Sequence, residues 1–292
     1  KRNRIIGKVK KRYWRVSHKF GIQLPHTVQE ALRIDEVTGT DIWHTAMKKE
    51  MAKVMVAFDF CDDWTPEQIR KGASGNFVGF QEITCHIIFD VKMDLTRKAR
   101  FVAGGHLTET PSSLTFASVV SRDSVRLAFL IAAINDLDIR GCDIGNAYLN
   151  APCRKKIWFV AGPEFGSRKG SVVKIVRALY GLKSSGASWR NMFQQTICDL
   201  GFAPTIVDPD VYRWRMAKLN GFEYYELIVI YVDDVLIISH DPDPHLKALQ
   251  TLYELNEKST GPPKQYLGAD VERVTRPNDA SGQQYWSFSA HT

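Results

Sequence analysis

The stretch IYVDDVLII, Ile230–Ile238, sets two adjacent aspartates inside a strongly apolar run. Burying one unpaired carboxylate is costly, and a second beside it raises the cost. YELIVIYV and VLIIS on either side both read as strands, so the pair fits the tip of a tight hairpin, where Asp tolerates turn geometry and side chains escape the sheet. The plain reading of such a tip is a solvated turn without chemistry. Against it, a turn Asp is normally followed by Gly, Asn or Ser, whereas here Val235 resumes the strand at once. A bound cation that cancels the repulsion explains the pair better.

A cation site needs further ligands. Asp143, in IRGCDIGNAY, follows an apolar approach and precedes Gly145 and a turn. A lone strand-end Asp is usually only a cap, but the three carboxylates together suit Mg²⁺, a hard ion that prefers carboxylates, phosphates and water. Two such ions about 4 Å apart activate a nucleophile and stabilise a leaving group in an in-line phosphoryl transfer.

The totals fit this frame. A chain of 292 residues with 44% hydrophobic and 24% charged content is an ordinary globular composition, long enough for one large or two modest domains. Its longest apolar segments, such as LAFLIAAI at 127–134, are too short to span a bilayer, so no membrane partner is expected. No signal-peptide pattern opens the sequence, which starts at Lys1, and the chain is expected to be a fragment of something longer. Five scattered cysteines without a CxxC pair argue against a disulfide framework or a zinc site and fit a reducing compartment. The net charge of +7 is uneven: nine Lys or Arg and no acid lie in residues 1–29, around Tyr13 and Trp14. Such an arm suits a phosphate-rich partner, and equally a solubilising linker.

Along the chain, residues 1–29 read as an extended, disordered arm and 30–75 as a connector with one helix at Asp41–Met55, capped by Thr40 or Asp41. QEITCHIIFDVKMD and RFVAGG read as strands around a turn, and RDSVRLAFLIAAIND as a buried helix opened by Ser121 or Asp123. GASWRNMFQQTICDLGF and PDPHLKALQTLYELN read as amphipathic helices, VYRWRM and YYELIVIYV as strands about KLNGFE, and KQYLGADVERV with QQYWSFSA as a hairpin. Without regular βαβ alternation the fold class is α+β, and no GxGxxG or GxxxxGK[ST] loop is present.

YVDD between apolar strands, DIGNAYLNAP upstream and RALYGLKSSGASW between them resemble the reverse transcriptase of copia-type LTR retrotransposons. RKARFVAGG, TFASVVSRDSVRLAFLIAA, LGFAPTIVDPDVY and KQYLGADV follow that family's pattern in order, over roughly residues 30–292. The resemblance implies a right-hand polymerase with fingers and palm over 76–292, the palm core at about 121–275 being a small antiparallel sheet backed by helices. It implies that Asp143 and Asp233 hold two Mg²⁺ ions (Mn²⁺ as substitute), with the backbone carbonyl of Ile144 as a further ligand and Asp234 in support. The reaction implied is attack of a primer 3′-hydroxyl on the α-phosphate of a dNTP, with RNA template and then DNA primer/template as partners.

The resemblance also suggests nucleotide-binding residues. Tyr148 matches the aromatic that floors the sugar pocket, with a core Tyr as the alternative. Arg100 matches a triphosphate-gripping base, Lys92 on the preceding strand is a second hand, and Gly181, Leu182 and Lys183 match the segment beside the nascent base pair. A helix-leading turn accounts equally well for those last three. Departures are Gly104-Gly105 where the family has Lys-Gly, and LKSSGASW where it has LKQAPRAW. No thumb helices or RNase H acids are recognised after the final hairpin, so a truncated, inactive nucleic-acid-binding relic is the alternative reading. The family further implies flanking integrase and RNase H regions in a parent polyprotein, and an intracellular location: cytoplasmic virus-like particles with a nuclear phase.

Overall fold

The computed structural model describes residues 17–72, 77–108, 117–275 and 284–290. In chain order these form β1 (His18–Lys19), β2 (Ile22–Gln23), α1 (Val28–Thr38), α2 (Ile42–Val54), β3 (Phe58–Phe60), α3 (Pro66–Arg70), β4 (Gln81–Glu82), β5 (Cys85–Val91) and β6 (Arg97–Ala103). There follow α4 (Arg122–Asn135), β7 (Asp138–Asp143), α5 (Ala147–Asn150), β8 (Ile157–Val160), β9 (Val172–Ile175) and α6 (Ser185–Asp199). The remainder is β10 (Ala203–Pro204), β11 (Val211–Ala217), β12 (Glu223–Tyr231), β13 (Asp234–Ser239), α7 (Asp243–Leu252), β14 (Gln265–Tyr266), β15 (Ala269–Thr275) and β16 (Gln284–Ala290). The chain is α+β with several small sheets, divided into two compact units: Lys1–Thr115 with Tyr148–Ser188, and Phe116–Ala147 with Trp189–Thr292. No helix among the described residues is long and apolar enough to cross a membrane.

The first unit holds a four-stranded sheet in the order β3-β9-β8-β4 and the separate β5-β6 hairpin. Trp43, Met47, Met51 and Val54 recur at helical spacing on α2 and are buried with Phe89, Phe101 and Phe159 in one core. The segment expected to be a connector is therefore part of this core. The expected arm also ends earlier than its basic composition suggests. Residues 1–16 lie outside the described residues, but β1 pairs with β2, and Leu24 and Val28 are buried. Asp41 is the N-cap residue of α2, as expected, but its side chain makes no capping bond; instead the buried Asp35 carboxylate, from the last turn of α1, accepts from the N–H groups of Trp43 (3.2 Å) and His44 (2.8 Å). A carboxylate there meets both the orphan donors and the positive end of the helix.

The second unit is built on an antiparallel sheet in the order β10-β11-β12-β13-β7. Val125, Ala128, Phe129 and Ala132 of α4 share a core with Ile139, Val229, Leu236 and Ile238, and Phe129 stacks on Phe288 of the β14-β15-β16 sheet at 4.9 Å. Two acids of the VDPDVY segment secure this layer. Asp208 accepts from the Ser121 N–H (3.0 Å) and the Ser124 hydroxyl (2.6 Å) at the start of α4. Asp210, 2% exposed, is paired with Arg190 of α6 at 2.8 Å.

Candidate active site

Tyr231 pairs with Asp234 across the β12-β13 hairpin, so the turn consists of Val232 and Asp233 and only one of the two aspartates sits at the tip. Asp234 is the first residue of β13. This corrects the expectation that both acids occupy the turn. Val232 takes φ 61°, a left-handed conformation that a β-branched residue avoids. Its carbonyl accepts from the Trp189 indole N–H at 2.8 Å, and Trp189 is itself buried, stacked on Phe193 at 4.9 Å and edge-on to Tyr253 at 5.7 Å. A strained turn persists only where its surroundings over-determine it, and Trp189 supplies that restraint. Trp189→Phe keeps an aromatic ring in this buried site but loses the donor and part of the indole packing. The expected result is a stability loss of about 2 kcal/mol or more in a denaturant titration.

The partner strand completes the arrangement. In the antiparallel pairing of β13 with β7, Asp234 stands directly opposite Asp143. The next residue, Ile144, donates its N–H to the Asp233 carbonyl at 2.9 Å, which ties the backbone after Asp143 to the turn. Asp143, Asp233 and Asp234 are all half-buried. Burial, then Asp233, then Asp143 push the Asp234 carboxyl up to about 6. Next to Asp143 on β7, Cys142 has its thiol pushed up to about 12 by burial and by the charges of Asp143 and Asp234. Among the described residues neither Asp143 nor Asp234 forms an ion pair.

Beside Asp234 opens a cleft of about 550 Å³, with Cys142, Tyr266, Lys258 and Lys264 among its lining. The Tyr266 hydroxyl is buried there without a hydrogen-bond partner among the described residues. Burial first, then the nearby Asp234, raises its pKa.

The donor set fits a hard divalent ion: oxygen ligands only, and adjacent carboxylates whose repulsion an ion would relieve. Among the described residues no three His, Cys, Asp or Glu side chains are already drawn together tightly enough to hold a metal. The acids share the end of a strand pair, and substrate phosphates would have to complete the coordination, as is usual for Mg²⁺.

The expected nucleotide-binding residues belong to the first unit. The Arg100 guanidinium lies 5.5 Å from the Tyr180 ring centre, and Tyr180 is 4.9 Å from Tyr148, so these three form one cluster. Lys92 falls one residue past β5, and Arg100 pairs with Ile88 on the same hairpin; both charges act on Lys98. Leu182 is buried in the core of the first unit, and the Lys183 ammonium donates to the Thr108 carbonyl. Gly181 takes φ 93°, and a Cβ there would lie 2.1 Å from the Ala103 carbonyl oxygen.

Sequence reasoning missed Trp189, the Arg190–Asp210 pair and Asn256, which bonds to Asp143. Trp189 and Asp210 stand within segments whose family resemblance was visible, but nothing in the sequence reveals their partners.

Comparison with known proteins identifies the family. A family described as reverse transcriptase (RNA-dependent DNA polymerase) matches residues 78–287. The chain is 29% identical over 235 residues to a retrovirus-related Pol polyprotein from transposon TNT 1-94 of Nicotiana tabacum, covering 75% of this chain and 17% of the relative. It is 27% identical over 214 residues to the corresponding polyprotein from transposon RE1 of Arabidopsis thaliana, covering 70% and 14%. It is 29% identical over 175 residues to the transposon Ty1-NL2 Gag-Pol polyprotein of Saccharomyces cerevisiae, covering 58% and 9%. The chain thus spans less than a fifth of the length of these relatives. It belongs to the reverse transcriptase family. Within that family it is a retrotransposon reverse transcriptase of the copia type.

Proposed function

We propose that this chain carries the nucleotidyl-transfer site of an RNA-directed DNA polymerase, extending a primer 3′-hydroxyl from dNTPs on RNA and then DNA templates. The observation that carries the reading is the strand register that sets Asp143 opposite Asp234, with the Ile144 N–H bonded to the carbonyl of Asp233. In this reading the second unit supplies the palm and the first the fingers. Asp143 and Asp233 would hold two divalent ions, Mg²⁺ with Mn²⁺ as substitute, with the Ile144 carbonyl as a further ligand and Asp234 beside them. When bound, the ions supply charge neutralisation at the triphosphate and activation of the hydroxyl.

The chain itself supplies position. Trp189 fixes the turn that presents Asp233, and the β7-β13 ladder fixes Asp143 against Asp234. Arg100 offers a planar fork of donors suited to phosphate, and Tyr148 a ring able to exclude a ribose 2′-hydroxyl. Pre-positioning and electrostatics suffice for phosphoryl transfer without a covalent intermediate. The names of the relatives support a place in a longer polyprotein, in which the family resemblance puts integrase and RNase H regions alongside.

Primer extension on RNA and DNA templates, with the downstream segment of the reading frame included, tests the proposal. The expected result is Mg²⁺-dependent dNTP incorporation that Asp233→Asn lowers by about 10³-fold or more, in keeping with loss of an electrostatic contribution of this kind. Salt-sensitive binding of primed template without incorporation would select the inactive relic instead.

A further inference from the structure

The free edge of β7 is covered by the chain that follows α7. Gly145 donates to the Glu254 carbonyl (2.8 Å), Asn256 donates its N–H to the Asp143 carbonyl (2.9 Å), and Gly141 exchanges bonds with Gly261 (2.7 and 3.0 Å). This zipper places the Asn256 side chain on the catalytic edge. Its Nδ2 lies 3.2 Å from Oδ2 of Asp143, while its Oδ1 accepts from the Lys258 N–H at 3.3 Å and so caps the helical turn at Glu257–Ser259. The capping bond decides the amide orientation: an oxygen committed to a backbone N–H leaves the NH₂ group to face the carboxylate. The Asn256 carbonyl is held in turn by the Ser259 N–H (3.0 Å), the Ser259 hydroxyl (3.1 Å) and the Thr260 hydroxyl (2.9 Å).

On these grounds we infer that Asn256 is a positioning residue for Asp143, orienting its carboxylate for a divalent ion; the inference rests on the function proposed above. A single exposed amide–carboxylate bond in water is weak, because ordering two side chains opposes it. Here the backbone and Oδ1 of Asn256 are already fixed, so little further freedom is lost. The donor occupies one lone pair of Oδ2 and leaves Oδ1 for an ion. A neutral amide does this without the positive charge by which Lys or Arg would compete with the cation. Partners of metal-binding carboxylates in other proteins have this arrangement.

Direct Mn²⁺ titration by electron paramagnetic resonance tests the inference, using the chain as it stands and Asn256→Ser, Asn256→Gly and Asp143→Asn. Ser and Gly both serve well as helix caps, so the turn at Glu257–Ser259 is retained while the amide donor is lost. The expected result is a Kd for Mn²⁺ raised by about tenfold or more in both Asn256 variants, with melting temperatures close to that of the parent. An unchanged Kd in both, with Asp143→Asn still abolishing binding, would overturn the positioning role and leave the proposed function standing. Absence of Mn²⁺ binding in the parent chain, both alone and with primed template and dNTP added to complete the coordination, would overturn the proposed function and this inference with it.

Discussion

Asp234→Asn is expected to make the protein more stable and, on the function proposed above, less active in nucleotide addition. In metal-free buffer at pH 7.5 the variant is expected to gain about 1–2 kcal/mol against denaturant. The carboxyl is raised from 3.8 to about 6, a full conversion at 1.36 kcal/mol per unit would give about 3 kcal/mol, and partial exposure with solvent screening reduces it. The sign follows from linkage: a carboxyl whose folded-state value lies above its unfolded one is disfavoured as an anion in the fold. The penalty is absent below about pH 4, develops between there and about pH 6, and is complete above that. The stability advantage of the variant is therefore expected to vanish at pH 4, and to narrow at pH 7.5 when Mg²⁺ is added to the parent chain. Incorporation is expected to fall by about 10–100-fold, as for other groups that support a metal-binding carboxylate. A variant less stable than the parent at pH 7.5 would show that Asp234 is not held under repulsion.

Gly181→Ala is expected to destabilise the first unit by about 3 kcal/mol or more, since overpacking and a left-handed non-glycine residue each carry a penalty. The added Cβ would sit 2.1 Å from the Ala103 carbonyl oxygen and 2.7 Å from Val102 Cγ1. The backbone cannot easily withdraw, because the Ala103 N–H is bonded to the Tyr180 carbonyl at 2.8 Å. Gly105 faces the same junction from the other side, with its own Cβ position 2.1 Å from the Gly181 carbonyl oxygen. Denaturant titration followed by Trp fluorescence measures the effect, and a loss below 0.5 kcal/mol, roughly the scale of a surface substitution, would contradict this view of the junction.

The β-hairpin around Asp233 was legible in the sequence because two apolar runs bracket a short polar break. Its exact tip was not. Reading Asp-Asp as the turn assumes that polar residues take the left-handed position, whereas here Val232 takes it. Its strain is imposed by ladder register and by Trp189, both long-range. Asp143 was legible for a related reason, as the acid that ends an apolar strand before Gly145. The N-cap position of α2 at Asp41 was legible, but the acceptor for its first N–H groups was not, because that carboxylate comes from Asp35 of the preceding helix. The extent of the arm was overestimated because nine basic residues dominate its composition, while Leu24 and Val28, two apolar residues near its end, carry the information that the chain has entered a core. Asn256 had no local signal at all. A lone polar residue after an amphipathic helix acquires meaning only when the edge of β7 is known.

The central claim is that Asp143 and the Asp233 turn act as one unit in nucleotide addition. A double-mutant cycle on single-turnover dNTP incorporation tests it most directly, comparing the parent chain, Asp143→Asn, Asp233→Asn and the double variant. Groups that work as a unit lose nearly everything when either is removed. Each single variant is therefore predicted to fall by about 10³-fold or more, and the double variant no further than the weaker single. Near-parent incorporation by Asp143→Asn, while Asp233→Asn is inactive, would contradict the account.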